Sequence, residues 1–355
     1  MTGGAGIPLV RVHGEPFAAG HAHGERLAAP LRSFLGDSLA RLGRVMAGPV
    51  TLAGLRPAIA AHRAAVTAAA PELAEEVRGI AAGAGIEESE AWLLQLRREI
   101  MGYRKVPVPV MGDCTTYARS GPAADGHPVL AQTVDLNGDL DDHLAVLDVA
   151  RPRTGRRSLV LSFGGLLGYL GLNSDGLAVG INLVLGGDWH TDGLPPYLAV
   201  RHLLDTAASV EEALEILTGL RLTSSRVLTL CDPRRSVWVE HLDGAYRLGE
   251  AATPVVHTNH YLHPDFTAAD EINVFARNSS LRRLDAGTAG LGALPADAGP
   301  EEYFGVLSEP PIRVPDSGDI RRERTVAAVV MLPDRGELHV RPGDPALSTT
   351  QVFRL

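Results

Sequence analysis

Apolar positions recur every three to four residues along most of the first hundred residues of the chain. This spacing, with abundant alanine and leucine, predicts helices over residues 25–46, 51–70, 71–85 and 87–103. After VPVPVMGD, the pattern changes to short apolar runs that are rich in β-branched residues and bounded by turn residues. These runs predict strands over residues 127–136, 143–151, 157–165 and 176–185.

A helical pair separates this first group of strands from a second group. The two helices are predicted over residues 195–208 and 209–220, and a β meander over 226–249 and a hairpin over 323–344 follow. Ser209 and Glu212, three residues apart, are typical of a capping box at the start of the second helix. Because the loops between neighbouring strands are too short for helical crossovers, we expect antiparallel pairing. The pattern therefore predicts an α+β fold of two antiparallel sheets covered by helices.

Composition excludes several classes of function. A net charge of −9 argues against nucleic acid or an anionic membrane as the main partner. Lys105 is the only lysine, so Schiff-base and phosphate-loop chemistry are not expected. No apolar run approaches the roughly 20 residues that span a bilayer, and the N-terminus lacks the basic and apolar pattern of a secretory signal. We therefore expect a cytoplasmic location and no membrane partner.

Two groups of histidines have spacings that could suggest a metal site. His21 and His23 lie in HAHG at the start of a predicted helix, and His257, His260 and His263 lie in HTNHYLH. The second segment runs from a predicted strand into a loop, which spreads its side chains apart, and neither group has the neighbours of a zinc site. We expect these histidines to orient or pack against other groups, and we expect no metal.

The two cysteines have different surroundings in the sequence. Cys231 lies in a predicted strand and is expected to be a small, inert core residue. Cys114 begins the first β segment, where helical sequence gives way to sheet sequence. A cysteine nucleophile needs a base, and His257 or His260 would supply it in an uncleaved, papain-like acyltransferase. An uncleaved sandwich that only binds a ligand is the non-enzymatic alternative.

Cleavage of the bond between Asp113 and Cys114 would provide a different base. Cys114 would then begin a new chain, and its own α-amino group could accept the thiol proton. The ordinary pKa values of an α-amine and a thiol are so close that this transfer costs only about 1 kcal/mol. The same thiol could cut the bond by attacking the Asp113 carbonyl, which shifts the acyl group from nitrogen to sulfur before water releases it.

Several short motifs occur in an order that is familiar from one enzyme family. They are GDCTTYA (112–118), AQTVDL (131–136), GLNSDGLAVGIN (171–182), HTNHY (257–261), NSSLRRL (278–284) and TVAAVVMLPDRGELHVRPGDP (325–345). Together they resemble the acyl-coenzyme A:6-aminopenicillanic acid acyltransferase (isopenicillin N acyltransferase) family of autoproteolytic Ntn, or N-terminal nucleophile, hydrolases. The resemblance extends over nearly the whole chain.

The resemblance implies an Ntn-hydrolase αββα sandwich that is made as a precursor. Residues 1–113 would be a mostly helical pro-segment or small subunit, and residues 114–355 the catalytic large subunit. Both pieces would stay together as one compact unit after cleavage between Asp113 and Cys114. In this family glycine is common at the position of Asp113, and asparagine at that of Thr133, so both are departures from the pattern.

The resemblance also implies roles for individual residues. Cys114 is the nucleophile and its freed amine the base, Asp135 orients that amine, and Asn259 stabilises the oxyanion. Ser279 and Arg282 match the family's serine–arginine segment near the site, although the adjacent Arg283 leaves the register open.

These roles predict an amidohydrolase or acyltransferase that acts on a small N-acyl or peptide-like amide through a thioester acyl-enzyme. Water or an amine then takes the acyl group. No cofactor is expected, although acyl-coenzyme A or another acyl thioester could serve as a co-substrate. Asn173 and Asn182 are expected to be turn and sheet residues rather than catalysts.

Overall fold

Two β-sheets form the centre of the computed structural model, which describes residues 6–102, 114–120, 127–249 and 254–355. The strands of the first sheet are β1 (Leu9–His13), β4 (Leu144–Ala150), β5 (Arg157–Phe163), β6 (Leu170–Asn173), β7 (Ala178–Leu183), β8 (Arg226–Cys231), β9 (Ser236–Leu242) and β10 (Ala245–Gly249). Those of the second, in spatial order, are β11 (Val255–His257), β2 (Thr115–Arg119), β3 (Val129–Leu136), β12 (Arg324–Leu332), β13 (Glu337–Pro342) and β14 (Gln351–Arg354).

The helices surround these sheets. They are α1 (Pro16–Arg26), α2 (Ala28–Gly36), α3 (Leu42–Val45), α4 (Leu52–Ala69), α5 (Pro71–Ala84), α6 (Glu88–Met101), α7 (Pro196–Thr206), α8 (Val210–Gly219), α9 (Pro264–Thr267), α10 (Val274–Gly292) and α11 (Pro300–Leu307). In the part of the chain described here, no helix is both long enough and apolar enough to cross a bilayer.

The sheets pack face to face, and helices cover their outer faces. Strand β2 contacts β7, β8 and β9, and β3 contacts β7, so apolar side chains of both sheets share one core. Helix α7 packs against β5, β6 and β7, whereas α10 and α11 pack against β2, β3, β11 and β12. The predicted α+β sandwich of two antiparallel sheets between helical layers, an αββα arrangement, is therefore confirmed. One pair departs from the antiparallel pattern, because β1 pairs with β4 in parallel.

The first helical prediction, over residues 25–46, is wrong in its boundaries. The first helix begins earlier, at Pro16, and the stretch up to residue 45 forms three short helices, α1, α2 and α3, instead of one. Residues 38–41 all have positive φ angles, which no α-helix accommodates, so the helical run stops after Gly36. Strand β1 was not predicted. It has five residues of which only two are buried, and so short an alternation of apolar and polar positions does not indicate a strand by itself.

The predictions over 51–70, 71–85, 195–208 and 209–220 agree with helices α4, α5, α7 and α8 to within two residues. Helix α6 ends at Met101, and residue 103 of its prediction lies outside the described residues. Ser209 caps α8 by accepting a hydrogen bond from the Glu212 amide at 3.2 Å, but Glu212 accepts from the Ala208 amide rather than that of Ser209. Half of the predicted capping box is thus present.

Helices α1 and α5 approach each other closely because glycines face each other at their contact. A Cβ atom added at Gly20 would lie 1.9 Å from the Glu76 carbonyl oxygen, and one added at Gly79 would lie 2.2 Å from that of Phe17. Backbone therefore packs directly on backbone, which leaves His23 and Glu76 fully buried. Burial lowers the pKa of His23 to about 4, so its ring is neutral at physiological pH.

A buried ionic cluster connects this helical region to the rest of the molecule. Both carboxylate oxygens of Glu76 accept hydrogen bonds from Arg201 at 3.0 Å, and Glu76 also pairs with Arg151. Asp205 completes the cluster by accepting from both arginines at 2.9 and 3.0 Å. Burial alone would raise the pKa of Glu76, but the guanidinium groups of Arg201 and Arg151 hold it below its ordinary value. The cluster stabilises the fold only while all its members are charged.

We predict that Glu76→Gln lowers the free energy of unfolding by about 3–5 kcal/mol, because it leaves two buried guanidinium groups to share the single carboxylate of Asp205. Urea denaturation measures the change. Glu72→Gln is the matched control, since Glu72 pairs with Arg153 on the surface, where the two side chains are 52% and 74% exposed. We expect that control to cost less than about 1 kcal/mol. Equal effects of the two substitutions would contradict the role of the cluster.

Candidate active site

Cys114 lies in a pocket between the sheets and the helical N-terminal region. The pocket has a volume of about 780 Å³ including its open mouth, and it is also lined by Asp135, Tyr169 and Asn259. Much of its wall is apolar, with side chains from α2, α6, the first sheet and the segment after β3: Phe34, Leu94, Phe163, Ile181, Leu183 and Leu140. The site therefore places one thiol in a largely apolar pocket that opens to solvent, which is the usual character of a ligand site.

The thiol of Cys114 is buried, with 4% of the residue exposed. Its Sγ atom lies 3.9 Å from the backbone oxygen of Asp135 and 3.8 Å from the hydroxyl of Tyr169. Burial, and after it the negative charge of Asp135, raise the pKa of the Cys114 thiol to about 12. In the uncut chain the thiol is therefore protonated at neutral pH and needs a base to become a nucleophile.

Two side chains hold the backbone carbonyl of Cys114. The amide of Asn182 donates to this oxygen at 3.1 Å, and the Nη1 atom of Arg283 donates to it at 2.8 Å. Asn182 is held in turn by Thr116, whose hydroxyl donates to the Asn182 Oδ1 atom at 2.7 Å. As predicted, Asn182 is a sheet residue, in β7. Its side-chain amide also holds the backbone of Cys114 in position.

Asn259 lies beside the same pocket, on the loop that follows β11. Its Oδ1 atom accepts a hydrogen bond from Arg283 Nη2 at 3.0 Å, and its Nδ2 atom donates to the Leu183 carbonyl at 2.8 Å. The backbone amide of Asn259 donates to the hydroxyl of Ser280 at 2.9 Å. Arg283 occupies the oxygen of the Asn259 side-chain amide. The amide nitrogen of Asn259 has two hydrogens, and one of them is left to donate to a ligand after the bond to Leu183.

The structure corrects the register of the serine–arginine segment. Arg282 is exposed on α10 and contacts only its own helix, where Nε donates to the Asn278 carbonyl at 3.4 Å. Arg283 is the fully buried arginine, and its Nε atom donates to the Ser279 hydroxyl at 3.4 Å. Residues four apart share a helix face, whereas Arg282 lies about 100° further round the helix. The predicted Ser279 thus lies near the site, half-buried, but Arg282 does not.

Asp135 lies near the end of β3 and is 3% exposed. The hydroxyl of Thr133 donates to Asp135 Oδ2 at 3.4 Å and accepts from the Thr115 amide at 3.1 Å. Thr133, one of the departures from the family pattern, therefore connects the residue after Cys114 to the carboxylate. Asp113, the other residue of the expected cleavage bond, lies outside the described residues, as does Lys105.

Both histidines that could serve as a papain-like base have other partners. The ring of His257 bonds Glu240 Oε1 and the Thr258 carbonyl, each at 3.0 Å. His260 bonds the Ser280 hydroxyl at 2.7 Å, and burial lowers its pKa to about 4. Neither ring is among the polar neighbours that the structure shows for the Cys114 thiol, so the geometry does not favour a cysteine–histidine pair.

The remaining histidines and Cys231 have structural surroundings. His263 caps α9 by accepting from the Asp265 amide at 3.2 Å, and His21 lies on the exposed side of α1, near Glu25. Among the described residues, no three His, Cys, Asp or Glu side chains are grouped so that they could hold a metal. Cys231 is fully buried, and its thiol points at the carbonyls of Arg119 and Val129. This agrees with its expected place in the core.

Three residues of the site were not predicted from the sequence. Tyr169 approaches the thiol from the loop before β6, and nothing in its apolar context marks it. Asn182 and Arg283 both lie inside quoted motifs, and the four-residue spacing from Ser279 to Arg283 was the signal that could have identified the arginine. Asn173 was predicted correctly as a turn residue, because its Oδ1 atom accepts from the amides of Asp175 and Leu177.

Comparison with known proteins finds matches to one family of acyltransferases. A family model described as acyl-coenzyme A:6-aminopenicillanic acid acyl-transferase matches residues 123–290. The 40 kDa form of acyl-coenzyme A:6-aminopenicillanic-acid-acyltransferase from Emericella nidulans is 26% identical over 206 residues, which is 57% of this chain. The match spans 56% of that relative, or about half its length.

Three solved structures each align with 68% of the chain. The N-acylethanolamine-hydrolyzing acid amidase ortholog of Caenorhabditis elegans is 17% identical, with all of it covered and a TM-score of 0.47. Penicillin V acylase from Agrobacterium tumefaciens is also 17% identical, with 86% covered and a TM-score of 0.49. A mutant of conjugated bile acid hydrolase from Clostridium perfringens is 12% identical, with 97% covered and a TM-score of 0.47.

The family-model match includes the AQTVDL, GLNSDGLAVGIN and HTNHY motifs. Asp135 and Asn259 from these motifs line the pocket, and Asn182 bonds the Cys114 backbone oxygen. The sequence matches therefore confirm the resemblance that the motifs indicated, and they relate this chain to the acyl-coenzyme A:6-aminopenicillanic acid acyltransferase family.

Proposed function

We propose that the chain is an Ntn cysteine amidohydrolase or acyltransferase that first cuts itself between Asp113 and Cys114. It then cleaves a small N-acyl or peptide-like amide through a thioester acyl-enzyme. The observation that carries this proposal is the placement of Cys114 in an apolar pocket, beside the Asp135 carboxylate and the Asn259 amide. Residues 1–113 and 114–355 stay associated after the cut.

Self-cleavage uses the same thiol as turnover. The Cys114 sulfur attacks the Asp113 carbonyl and its thiol proton passes to the departing nitrogen. The carbon–nitrogen bond then breaks, which leaves a thioester and the α-amine of Cys114. Water then hydrolyses the resulting thioester, which leaves a carboxyl group on Asp113 and restores the thiol. Arg283 and Asn182 support this step because they fix the Cys114 backbone from its carbonyl side.

The new α-amine supplies the base that the uncut chain lacks. An α-amine has an ordinary pKa of about 7.7–8.0, so it can accept the thiol proton near neutral pH. The buried carboxylate of Asp135 is suited to hold and orient the resulting ammonium by a charge-assisted hydrogen bond. The thiolate then attacks the substrate carbonyl, and the amine portion leaves with the proton that the ammonium returns.

Asn259 is suited to stabilise the oxyanion. Arg283 orients its side chain by bonding the oxygen end, so that the amide nitrogen is fixed in place before the reaction. Water or an amine then takes the acyl group from sulfur. Because an apolar pocket disfavours water, transfer to an amine, with acyl-coenzyme A or another acyl thioester as donor, is also within this proposal.

The first test is the intact mass of the purified protein and of two cysteine variants. We expect two chains, one ending at Asp113 and one beginning at Cys114, in the wild type. Cys114→Ala should abolish both cleavage and amidase activity, because it removes the attacking sulfur. Cys231→Ala is the matched control and should be cut normally, since that thiol lies in the core and points at the backbone carbonyls of Arg119 and Val129.

An intact wild-type chain would contradict the proposal in one of two ways. If it hydrolysed amides and lost this activity in His257→Ala or His260→Ala, the papain-like alternative would be correct. If it had no activity on any amide or acyl thioester, the chain would be a binding protein.

A second test concerns the oxyanion. Asn259→Ala should lower kcat by about 10²–10³-fold with a smaller effect on KM, because the lost hydrogen bond strengthens as charge develops on the substrate oxygen. The measurement is steady-state kinetics on an amide that the cleaved enzyme accepts. Asn278→Ala, on the exposed side of α10, is the control and should behave as the wild type. An unchanged kcat in Asn259→Ala would rule out this role.

A third test separates the two neighbouring arginines. Arg283→Met should reduce kcat/KM at least about tenfold, because Asn259 and the Cys114 carbonyl both lose the donor that orients them. Arg282→Met should change it less than about twofold, since Arg282 is exposed. The Tm of each variant shows whether folding is preserved. The reverse order of effects would restore Arg282 as the site residue.

A further inference from the structure

The pocket around Cys114 contains a buried positive charge that the proposed chemistry does not use. Arg97 extends from α6 into the pocket wall and is only 8% exposed. Its Nε atom donates to the Ala40 carbonyl at 2.7 Å, but its Nη2 atom is enclosed and has no hydrogen-bond partner among the described residues. Burial lowers the pKa of Arg97 to about 10, so the guanidinium is still charged at neutral pH.

Neighbouring buried arginines have counter-charges, whereas Arg97 has none within the described residues. Arg41 pairs with Asp37 at 2.9 Å and also with Asp142. Arg226, which lines the same pocket, lies 3.5 Å from Glu99. No described carboxylate comes within 4 Å of Arg97. Since burying an uncompensated charge is costly, the position of Arg97 calls for an explanation.

Backbone and aromatic contacts, rather than an acid, hold the Arg97 guanidinium in place. Its Nη2 atom lies against Gly138, where φ is +90° and where an added Cβ would be 2.6 Å away. The ring of Phe34 lies 5.7 Å from its Cζ atom and lines the same pocket. The guanidinium is thus fixed before any ligand arrives, which reduces the entropy lost on binding.

We propose that Arg97 binds a carboxylate of the substrate, so that the amide processed at Cys114 carries one carboxylate on an otherwise apolar body. A guanidinium matches the planar geometry of a carboxylate, and the apolar walls match the rest of the molecule. This proposal rests on the proposed function only in placing the reacting amide at Cys114.

Binding of two matched probes to the uncut Cys114→Ala chain tests the proposal without any turnover. The probes are 4-phenylbutyrate and 4-phenylbutyramide, which have the same shape and differ in charge, and isothermal titration calorimetry measures their affinities. We expect the acid to bind at least about tenfold more tightly, as a charge-assisted hydrogen bond implies. Adding Arg97→Met should reduce this preference to less than about threefold.

Arg98→Met is the matched control, because Arg98 is the next residue of α6 and lines the same pocket but is half-buried near Trp189. It should retain the preference for the acid. Arg97→Lys keeps the charge and should retain part of the preference if Arg97→Met does not fold. The Tm of each variant checks folding.

Three results would overturn the proposal: equal affinities of the two probes, a preference that persists in Arg97→Met, or no binding of the acid at millimolar concentration. A wild-type chain that neither cleaves itself nor hydrolyses amides, but whose Cys114→Ala form shows the expected preference, would contradict only the proposed function. The two proposals therefore fail independently.

Discussion

The guanidinium of Arg283 is the contact on which the geometry of the site depends. It donates to the backbone oxygen of Cys114 and to the side-chain oxygen of Asn259, which come from opposite ends of a long stretch of chain. A single planar group with a fixed fork of donors sets both positions at once. The helix that carries it buries Ala276, Ser280, Arg283, Gly287 and Leu291, and Arg283 is the charged residue among them, so its contacts help to orient α10 against the second sheet.

Buried charged side chains also join the helical N-terminal region to the rest of the molecule. Glu76 lies on α5, whereas Arg151, Arg201 and Asp205 lie beyond Cys114 in the chain, and all four are buried together. Breaking such a cluster is costly because each remaining charge would be left in a medium that solvates it poorly. The close packing of Gly20 on Glu76 brings the carboxylate to the required depth.

Much of the fold could be predicted from the sequence because its signals are local. Helices α4 and α5 have strong apolar periodicity, and β3, β4 and β5 are clear β-branched runs. The parallel pairing of β1 with β4 could not be predicted, since it depends on contacts between residues far apart in the chain. Helix α10 was missed because its apolar positions do not follow a helical face.

The residues of the candidate site that lie in recognisable motifs could be predicted from the sequence. Cys114, Asp135 and Asn259 come from separate quoted motifs and all line one pocket. Arg283 was not chosen over Arg282 because neighbouring residues with the same chemistry differ only in the direction of their side chains, which packing decides. Tyr169 and Arg97 were missed for a related reason: Tyr169 stands among apolar residues and Arg97 beside other charged ones, and only the three-dimensional structure shows that both line the thiol pocket.

Strand β1 has a consequence for assembly. Leu9 pairs with Val146 and His13 with Ala150, so this strand joins the sheet across the position of Cys114. While the chain is continuous, the connection holds β1 near β4 at a high effective concentration, and the pair can form as an intramolecular event. Two chains made separately would have to find each other first. The peptide bond before Cys114 is thus a tether that helps this sheet to form.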